Sequence, residues 1–210
     1  MDIIKNLSLL NSKERFYLFT YATNKGKFEL TDEFKNEIYK TIKVKMPNNY
    51  FAAIDYHLDW LSAAITKDSD VEEAFKNGTE FDNSEGLITG NQEDIDLIIA
   101  FEEDSEVTII MIEAKGVGSW TTKQVSSKKR RLDEIFKKSN ERNIYPYLIL
   151  MSPKESEGLK RKIDIINNRW IDKETNNYYW IKLKLPSPLY KVGRVGKDEQ
   201  NRKKWRIGNR

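Results

Sequence analysis

One segment of the chain, residues 86–115, alternates apolar and polar residues with the period of a β-strand and also holds charges inside its apolar runs. Side chains of a strand point to alternate faces, so this alternation predicts three short strands, over 86–90, 94–101 and 107–115. The polar residues 102–105 predict a hairpin turn between the last two. Because a hairpin fixes which residues face each other, this segment constrains the fold more than any other part of the chain.

Three charged residues interrupt the two longer predicted strands. Asp96 shares a face with Ile98 and Ala100, and Glu113 and Lys115 share a face of the next strand. If the hairpin pairs these faces, two carboxylates and an ammonium group converge. Neighbouring strands lie about 4.8 Å apart, and like charges facing each other destabilise a sheet. We therefore expect a cation between the carboxylates, either a divalent metal ion or Lys115.

The residue types present exclude several classes of site. The chain has no cysteine and a single histidine, His57. Disulfides, thiolate zinc sites, cysteine nucleophiles and histidine-rich metal centres are therefore excluded. A metal site would have to be built from carboxylates, whose oxygen atoms favour Mg²⁺ or Mn²⁺, with Ca²⁺ as a competitor. We interpret His57 as a packed or surface residue.

Charge is distributed unevenly along the chain. Residues 68–106 carry 14 acidic groups and 1 basic group, whereas residues 107–210 carry 25 basic and 11 acidic groups. A basic half that follows an acidic segment is typical of a protein that binds a polyanion. A lysine-rich surface that only keeps the protein soluble is the alternative. The chain has no apolar run long enough to cross a membrane and no signal-peptide pattern, so we expect a cytoplasmic location.

Helical patterns surround the predicted strands. They predict helices over 12–21, 32–47, 49–66, 70–78, 120–139 and 155–171, with further strands over 144–151 and 178–185. We divide the chain into an N-terminal helical region (1–48), a core (49–190) and a basic C-terminal tail (191–210) that we expect to be mobile. The predicted fold is α/β (α+β), with a central mixed sheet of four to five strands flanked by helices.

The order of these elements, with an acid entering the second strand and Glu113-Ala114-Lys115 leaving the third, resembles the PD-(D/E)xK nuclease superfamily. Restriction endonucleases belong to this superfamily, and the resemblance covers residues 49–151, about half of the chain. It implies a restriction endonuclease-like core. The proline of the motif is absent, which leaves Asp94 as a second candidate for the metal-binding acid. We favour Asp96, because it directly precedes the buried run 97–101.

The resemblance implies metal-dependent hydrolysis of DNA that leaves 5′-phosphate ends. Asp96, Glu113 and the backbone carbonyl of Ala114 would bind Mg²⁺, with Mn²⁺ as a substitute, and Lys115 would orient the attacking water. Many members add an acid from the helix before the first strand, and Asp55 and Asp59 on the predicted helix 49–66 are the candidates for it. Candidate DNA contacts lie on the predicted helix 120–139: Lys123, Gln124, Lys128 and Arg131.

The leading hypothesis is a type II restriction endonuclease that cuts double-stranded DNA as a homodimer. A repair, recombination or transposon-end nuclease of the same fold is one alternative. A non-catalytic nucleic-acid-binding protein is another, and in it Lys115 would simply neutralise Asp96 and Glu113. The two classes differ in that only the nucleases require a metal ion.

Overall fold

A computed structural model gives the fold and describes residues 2–22, 28–66, 70–91, 93–116, 120–160, 169–185, 190–195 and 204–209. The helices are α1 (Ile3–Leu10), α2 (Glu14–Ala22), α3 (Asp32–Ile42), α4 (Leu58–Ala64), α5 (Val71–Asn77), α6 (Thr122–Ile135) and α7 (Glu157–Lys160), with a 3₁₀ turn at Asn140–Arg142. The strands are β1 (Phe51–His57), β2 (Asp94–Glu103), β3 (Glu106–Ala114), β4 (Ile144–Ser152), β5 (Ile171–Asp172), β6 (Asn177–Lys182), β7 (Tyr190–Val195) and β8 (Lys204–Asn209).

Six of the strands form one mixed sheet in the order β1-β2-β3-β4-β6-β5. The pairs β1–β2 and β2–β3 are antiparallel, β4 is parallel to both β3 and β6, and β5 is antiparallel to β6. Helices lie on both faces, as a mixed sheet requires if its apolar side chains are to be buried. The predicted α/β class with a helix-flanked mixed sheet is thus confirmed, although the sheet has six strands instead of four to five.

Side chains of the central strands point alternately to the two faces of the sheet, and each face packs against a different set of helices. Ile109 and Met111 of β3 belong to one buried cluster, together with residues of α1, α4 and α6. Ile110 and Ile112 belong to a second buried cluster, together with Ile38 of α3. Glu113 continues the alternation of Ile109 and Met111, so its position in β3 places it on the face that carries α4 and α6.

The hairpin between β2 and β3 has the predicted position. Asp104 and Ser105, at its tip, have φ values of 50° and 64°. Two consecutive left-handed residues define the type I′ turn, whose twist matches that of the flanking strands. The turn therefore sets the register that brings Leu97 opposite Ile112.

Two of the predicted elements near the site were wrong. Residues 51–57 of the predicted helix 49–66 form β1, and only Leu58–Ala64 are helical. Because both faces of β1 carry buried residues, its apolar spacing does not distinguish a strand from a helix, and pairing with β2 decides between them. Residues 86–90 form no strand, because the backbone N–H groups of Thr89 and Gly90 bind a carboxylate of α4.

The ends of the chain also differ from expectation. Helix α1 was not predicted; it is capped by Asp2, whose carboxylate accepts the N–H of Lys5. The tail contains β7 and β8, which pair with each other. Residues 161–168 of the predicted helix 155–171 lie outside the described residues; Glu157–Lys160 are helical as α7, whereas Ile171 belongs to β5. No helix in the described ranges has the length and apolar character needed to span a bilayer.

Candidate functional site

The candidate site lies where the two central strands separate. The β2–β3 ladder ends at the pair Leu97–Ile112. Beyond that pair, β2 continues to pair with β1 as far as Asp94, and β3 continues to pair with β4 as far as Ala114. A notch therefore opens between β2 and β3, with Asp96 on one side and Glu113 on the other.

Asp96 bridges this notch. Its Oδ2 accepts a hydrogen bond of 2.6 Å from the backbone N–H of Ala114, a donor that the interrupted ladder leaves available. Hydrogen bonds between a carboxylate and a backbone N–H are among the stronger ones in proteins. The side chain is thereby fixed beside β3 while remaining exposed to solvent.

A backbone distortion in β1 accompanies the notch. Asp55 has a φ of 51°, which is unusual for a non-glycine residue. It lies between the pairs Ile54–Leu97 and Tyr56–Ile95, where the β1–β2 pairing skips Asp55 and Asp96. Asp55 is thus in a strand and not on the predicted helix, and its carboxylate forms a 3.1 Å ion pair with Arg15.

Glu113 is the most perturbed acid of the site. Its side chain is 15% exposed, and burial raises its pKa to about 7; Lys128 opposes this shift, whereas the negative charges of Asp96 and Glu93 add to it. Because the pKa of Glu113 responds to Asp96, the two predicted ligands are electrostatic neighbours, as the proposed site requires.

Lys128 of α6 occupies the acidic side of the notch. Its ammonium donates a 2.8 Å hydrogen bond to the backbone carbonyl of Asp94 and lies 3.2 Å from Glu113 Oε1 and 3.5 Å from Glu93 Oε1. The contact of Lys128 with Glu113 is an ion pair whose geometry is not that of a hydrogen bond. Glu113 Oε1 is buried, and it therefore has no hydrogen-bond partner among the described residues. Lys128, and not the expected Lys115, thus provides a cation beside Glu113, and the second carboxylate that it approaches is Glu93 instead of the expected Asp96.

Lys115 leaves β3 toward the start of α6. Its ammonium donates a 3.0 Å hydrogen bond to Gln124 Oε1 and lies 5.6 Å from the centre of the Trp120 ring. Gln124 Oε1 also accepts from Thr121, in the capping box that begins α6. Gln124, predicted as a DNA contact, therefore links the end of β3 to the first turn of this helix.

Asp94, the second candidate for the metal-binding acid, is oriented by a different cation. Its Oδ2 lies 2.7 Å from the ammonium group of Lys13, whereas its Oδ1 is buried with no hydrogen-bond partner among the described residues. Lys13 and Glu93 were not identified from the sequence as site residues. Glu93 directly precedes Asp94, and the acidic run 93–96 was the only signal for it.

Asp59 lies in a hydrogen-bond network with a structural role. Its carboxylate accepts the N–H groups of Thr89 and Gly90 at 3.0 and 2.7 Å and an Nη2–H of Arg131 at 2.9 Å. Burial raises the pKa of Asp59, but these hydrogen bonds outweigh burial and leave the pKa below its ordinary value. Arg131 also donates to the carbonyl of Leu87. The Thr89 hydroxyl, at 3.2 Å, is a fourth donor to Asp59. Asp59 and Arg131 together anchor residues 87–90 to α4 and α6.

The predicted set therefore divides into two groups. Asp96, Glu113, Lys115 and Lys128 lie around the notch, whereas Asp59 and Arg131 hold the loop beside it. Of the predicted DNA contacts, Lys123 is exposed on the first turns of α6. Lys123 and Lys128 belong to the same helix, α6, and the Lys128 side chain reaches the notch, so a phosphate near the notch would be near α6 as well.

The donor groups of the notch fit a hard divalent ion. Two carboxylates and the carbonyl of Ala114 are all oxygen ligands, the type that Mg²⁺ and Mn²⁺ prefer. Glu113 Oε1 has the Lys128 ammonium 3.2 Å away but accepts no aligned hydrogen bond among the described residues, so a metal ion would compete with that ammonium for this oxygen. Within the described ranges, no group of three or more histidine, cysteine, aspartate or glutamate side chains is arranged for a metal.

Comparisons with models of protein families, with curated proteins and with solved structures found no match to this chain.

Proposed function

We propose that this protein is a Mg²⁺-dependent deoxyribonuclease that hydrolyses phosphodiester bonds of double-stranded DNA and leaves 5′-phosphate ends. The observation that carries the proposal is the notch between β2 and β3, with Asp96 fixed on one side and the partly buried Glu113 on the other. A plain sheet has no reason to hold Glu113 at such a break, because desolvation of its carboxylate costs free energy and the exposed Asp96 beside it adds a like charge.

In this proposal Asp96, Glu113 and the Ala114 carbonyl hold the divalent ion. When bound, the ion would supply charge that stabilises the phosphate in the transition state and makes a nearby water more acidic. The protein contributes rigid positions for its ligands: Asp96 is fixed by the Ala114 N–H, and Glu113 by its place in β3. Preorganised ligands need little rearrangement as charge develops, and this is how they favour the reaction.

Lys115 positions the attacking water and balances the charge that develops on the phosphate. Its ammonium is held by Gln124 and by the face of Trp120, one residue beyond the Ala114 N–H that binds Asp96, and this position supports the assignment. The water oxygen attacks phosphorus and releases one proton to solvent, the bond from phosphorus to the 3′ oxygen breaks, and that oxygen takes up one proton from solvent. Lys115 does not change its own proton count in this scheme.

Lys128 has two positions in the proposed cycle. Without a metal ion it neutralises Glu113 and Glu93, which would otherwise repel each other. When a divalent ion replaces that charge, the flexible lysine side chain becomes available to contact a DNA phosphate, together with the exposed Lys123.

The biological role that we propose is that of a type II restriction endonuclease acting as a homodimer. A single catalytic notch cuts one strand, and two related subunits would be needed to cut both strands at the same place. A repair, recombination or transposon-end nuclease would use the same notch. Fragments of defined size from plain duplex DNA favour restriction, whereas cleavage confined to junctions, nicks or ends favours the other roles.

The test is incubation of the purified chain with plasmid and bacteriophage DNA in Mg²⁺, in Mn²⁺ and in a chelator. Cleavage should require the metal and fall at least about 100-fold in Asp96→Asn, Glu113→Gln and Lys115→Ala, because each removes a ligand or a charge from the transition state. Glu102→Gln, at the opposite and exposed end of β2, is the matched control and should cleave normally. Equal cleavage by all four variants would refute the proposal.

A non-catalytic nucleic-acid-binding protein is the second candidate, and the ion pair of Lys128 with Glu113 favours it. That contact supplies a cation to the notch without a metal ion. DNA binding that is identical with and without Mg²⁺, accompanied by no cleavage of any DNA form, would support this candidate over the nuclease.

A further inference from the structure

The last two described strands form a small sheet of their own. Strands β7 and β8 pair antiparallel over six residue pairs, from Tyr190–Asn209 to Val195–Lys204. Neither strand is part of the six-stranded sheet. Two-stranded ribbons are only marginally stable alone in water, so an arm of this type is commonly completed by a partner.

The β7–β8 ribbon exposes large apolar side chains next to each other. Val192 is 71% exposed and Ile207, directly opposite it, is 62% exposed. Trp205 is 65% exposed and lies opposite Arg194, on the same face as Val192 and Ile207. A contiguous exposed set of this size marks a binding surface more often than a chance arrangement.

The same ribbon is uniformly positive. Its twelve described residues include four lysine or arginine residues and no acidic residue. Lys204 and Arg206 are exposed, and Arg206 lies opposite Gly193. A Cβ atom at Gly193 or Gly208 would meet nothing within 4 Å, so the face that carries the cations is flat and open.

We propose that the β7–β8 ribbon is a DNA-binding arm that enters the major groove of duplex DNA. Two strands about 4.8 Å apart form a ribbon that the groove, about 12 Å wide, can admit. DNA would contact a ribbon in its groove on both faces of the ribbon. The β7–β8 ribbon has one face with Val192, Trp205 and Ile207 and another with Lys204 and Arg206, and these side chains are exposed. Arg206 and Lys204 contact phosphates, while Trp205 and Arg194 face the bases.

The choice of DNA as the polyanion rests on the proposed function, but the role of the ribbon does not depend on cleavage. An acidic protein would also attract the four cations. A flat, narrow ribbon without acidic residues is better suited to a continuous line of phosphates than to a protein surface of mixed charge.

The test measures binding of the full-length chain to a fluorescent duplex of about 20 base pairs in a chelator, so that no DNA is cut. Trp205→Ala should weaken binding about 10-fold, and Trp205→Phe, which keeps an aromatic ring, should recover most of the loss. Lys204→Ala and Arg206→Ala should each lower the slope of log K against log salt by about 1. Tyr39→Ala and Lys40→Ala, exposed on α3, are the matched controls and should bind like the unmodified chain.

Three results would overturn the inference. The first is that the unmodified chain does not bind the duplex measurably, and the second is that all the ribbon variants keep its affinity and salt slope. The third is that the chain binds anionic lipid vesicles more strongly than duplex and that the same variants lose this binding. Failure of the inference is distinguishable from failure of the proposed function. If the unmodified chain cleaves DNA and the ribbon variants bind DNA as it does, only the role of the ribbon as a DNA-binding arm is refuted. If the ribbon variants bind DNA more weakly but the unmodified chain cleaves no DNA with any divalent ion, only the nuclease proposal is refuted.

Discussion

Replacing Glu113 by glutamine should stabilise the protein at alkaline pH, although the same change should abolish cleavage. The pKa of Glu113 is raised by burial from 4.5 to about 7, and its side chain is only 15% exposed. Between these two values the unfolded chain has released the proton that the folded chain retains. The free energy of unfolding therefore falls as pH rises through this window and is constant above it.

The size of the effect follows from the shift. One pKa unit corresponds to about 1.4 kcal/mol, so the ionised Glu113 destabilises the metal-free fold by about 3 kcal/mol above pH 7. Glutamine resembles the protonated acid and does not ionise. Between about pH 5 and about pH 8, the unmodified chain should therefore lose about 2–3 kcal/mol more stability than Glu113→Gln does.

Urea unfolding followed by tryptophan fluorescence, in a chelator at both pH values, measures this difference. Groups that titrate in both proteins contribute equally to both and cancel in the comparison. Glu102→Gln, which removes an exposed carboxylate from the neighbouring strand β2, should follow the unmodified chain. If the unmodified chain and Glu113→Gln lose the same stability between the two pH values, Glu113 is not held in the desolvated environment described here.

Three further predictions concern the surroundings of the notch. Asp59→Ala should lower the free energy of unfolding by about 3–5 kcal/mol, because it leaves Arg131 and the N–H groups of Thr89 and Gly90 without their acceptor. A double-mutant cycle with Arg131→Ala should show a coupling energy above about 1 kcal/mol. If the two losses of stability simply add, the pairing of Asp59 with Arg131 is contradicted. Tyr56→Phe should cost about 1 kcal/mol in chemical unfolding, since the fully buried hydroxyl donates to the Leu7 carbonyl at 2.9 Å, and an unchanged midpoint would contradict it. Lys128→Met should raise the pKa of Glu113 further, so that Mn²⁺ binding followed by calorimetry requires a higher pH; an unchanged pH midpoint would show that Lys128 does not act on Glu113.

The sequence predicted the part of the fold that local patterns determine. Alternation over 94–115 predicted β2, β3 and their turn, because each strand has its own period and the turn is polar. Thr31 and Asp70 accept the N–H groups of Phe34 and Glu73 and so begin α3 and α5 as expected. Local chemistry is sufficient for such elements, since a cap and its helix lie within one turn of each other.

The sequence could not predict features that depend on contacts between distant residues. β1 was mistaken for a helix because its identity as a strand depends on pairing with β2, about 40 residues away. The role of Asp59 depends on Thr89 and Arg131, and the place of Lys128 in the notch depends on the packing of α6 against the sheet. The acids of the notch were identified because a charge within an apolar strand is conspicuous in the sequence alone.

The central claim is that Asp96, Glu113 and the Ala114 carbonyl together bind one hard divalent ion in the notch between β2 and β3. The most direct measurement is anomalous diffraction from crystals of the chain soaked in Mn²⁺. The account predicts an anomalous peak within coordination distance, about 2.2 Å, of oxygen atoms from all three residues, and loss of that peak in Glu113→Gln crystals. A Mn²⁺ site elsewhere in the chain, with Lys128 still paired to Glu113, would contradict it.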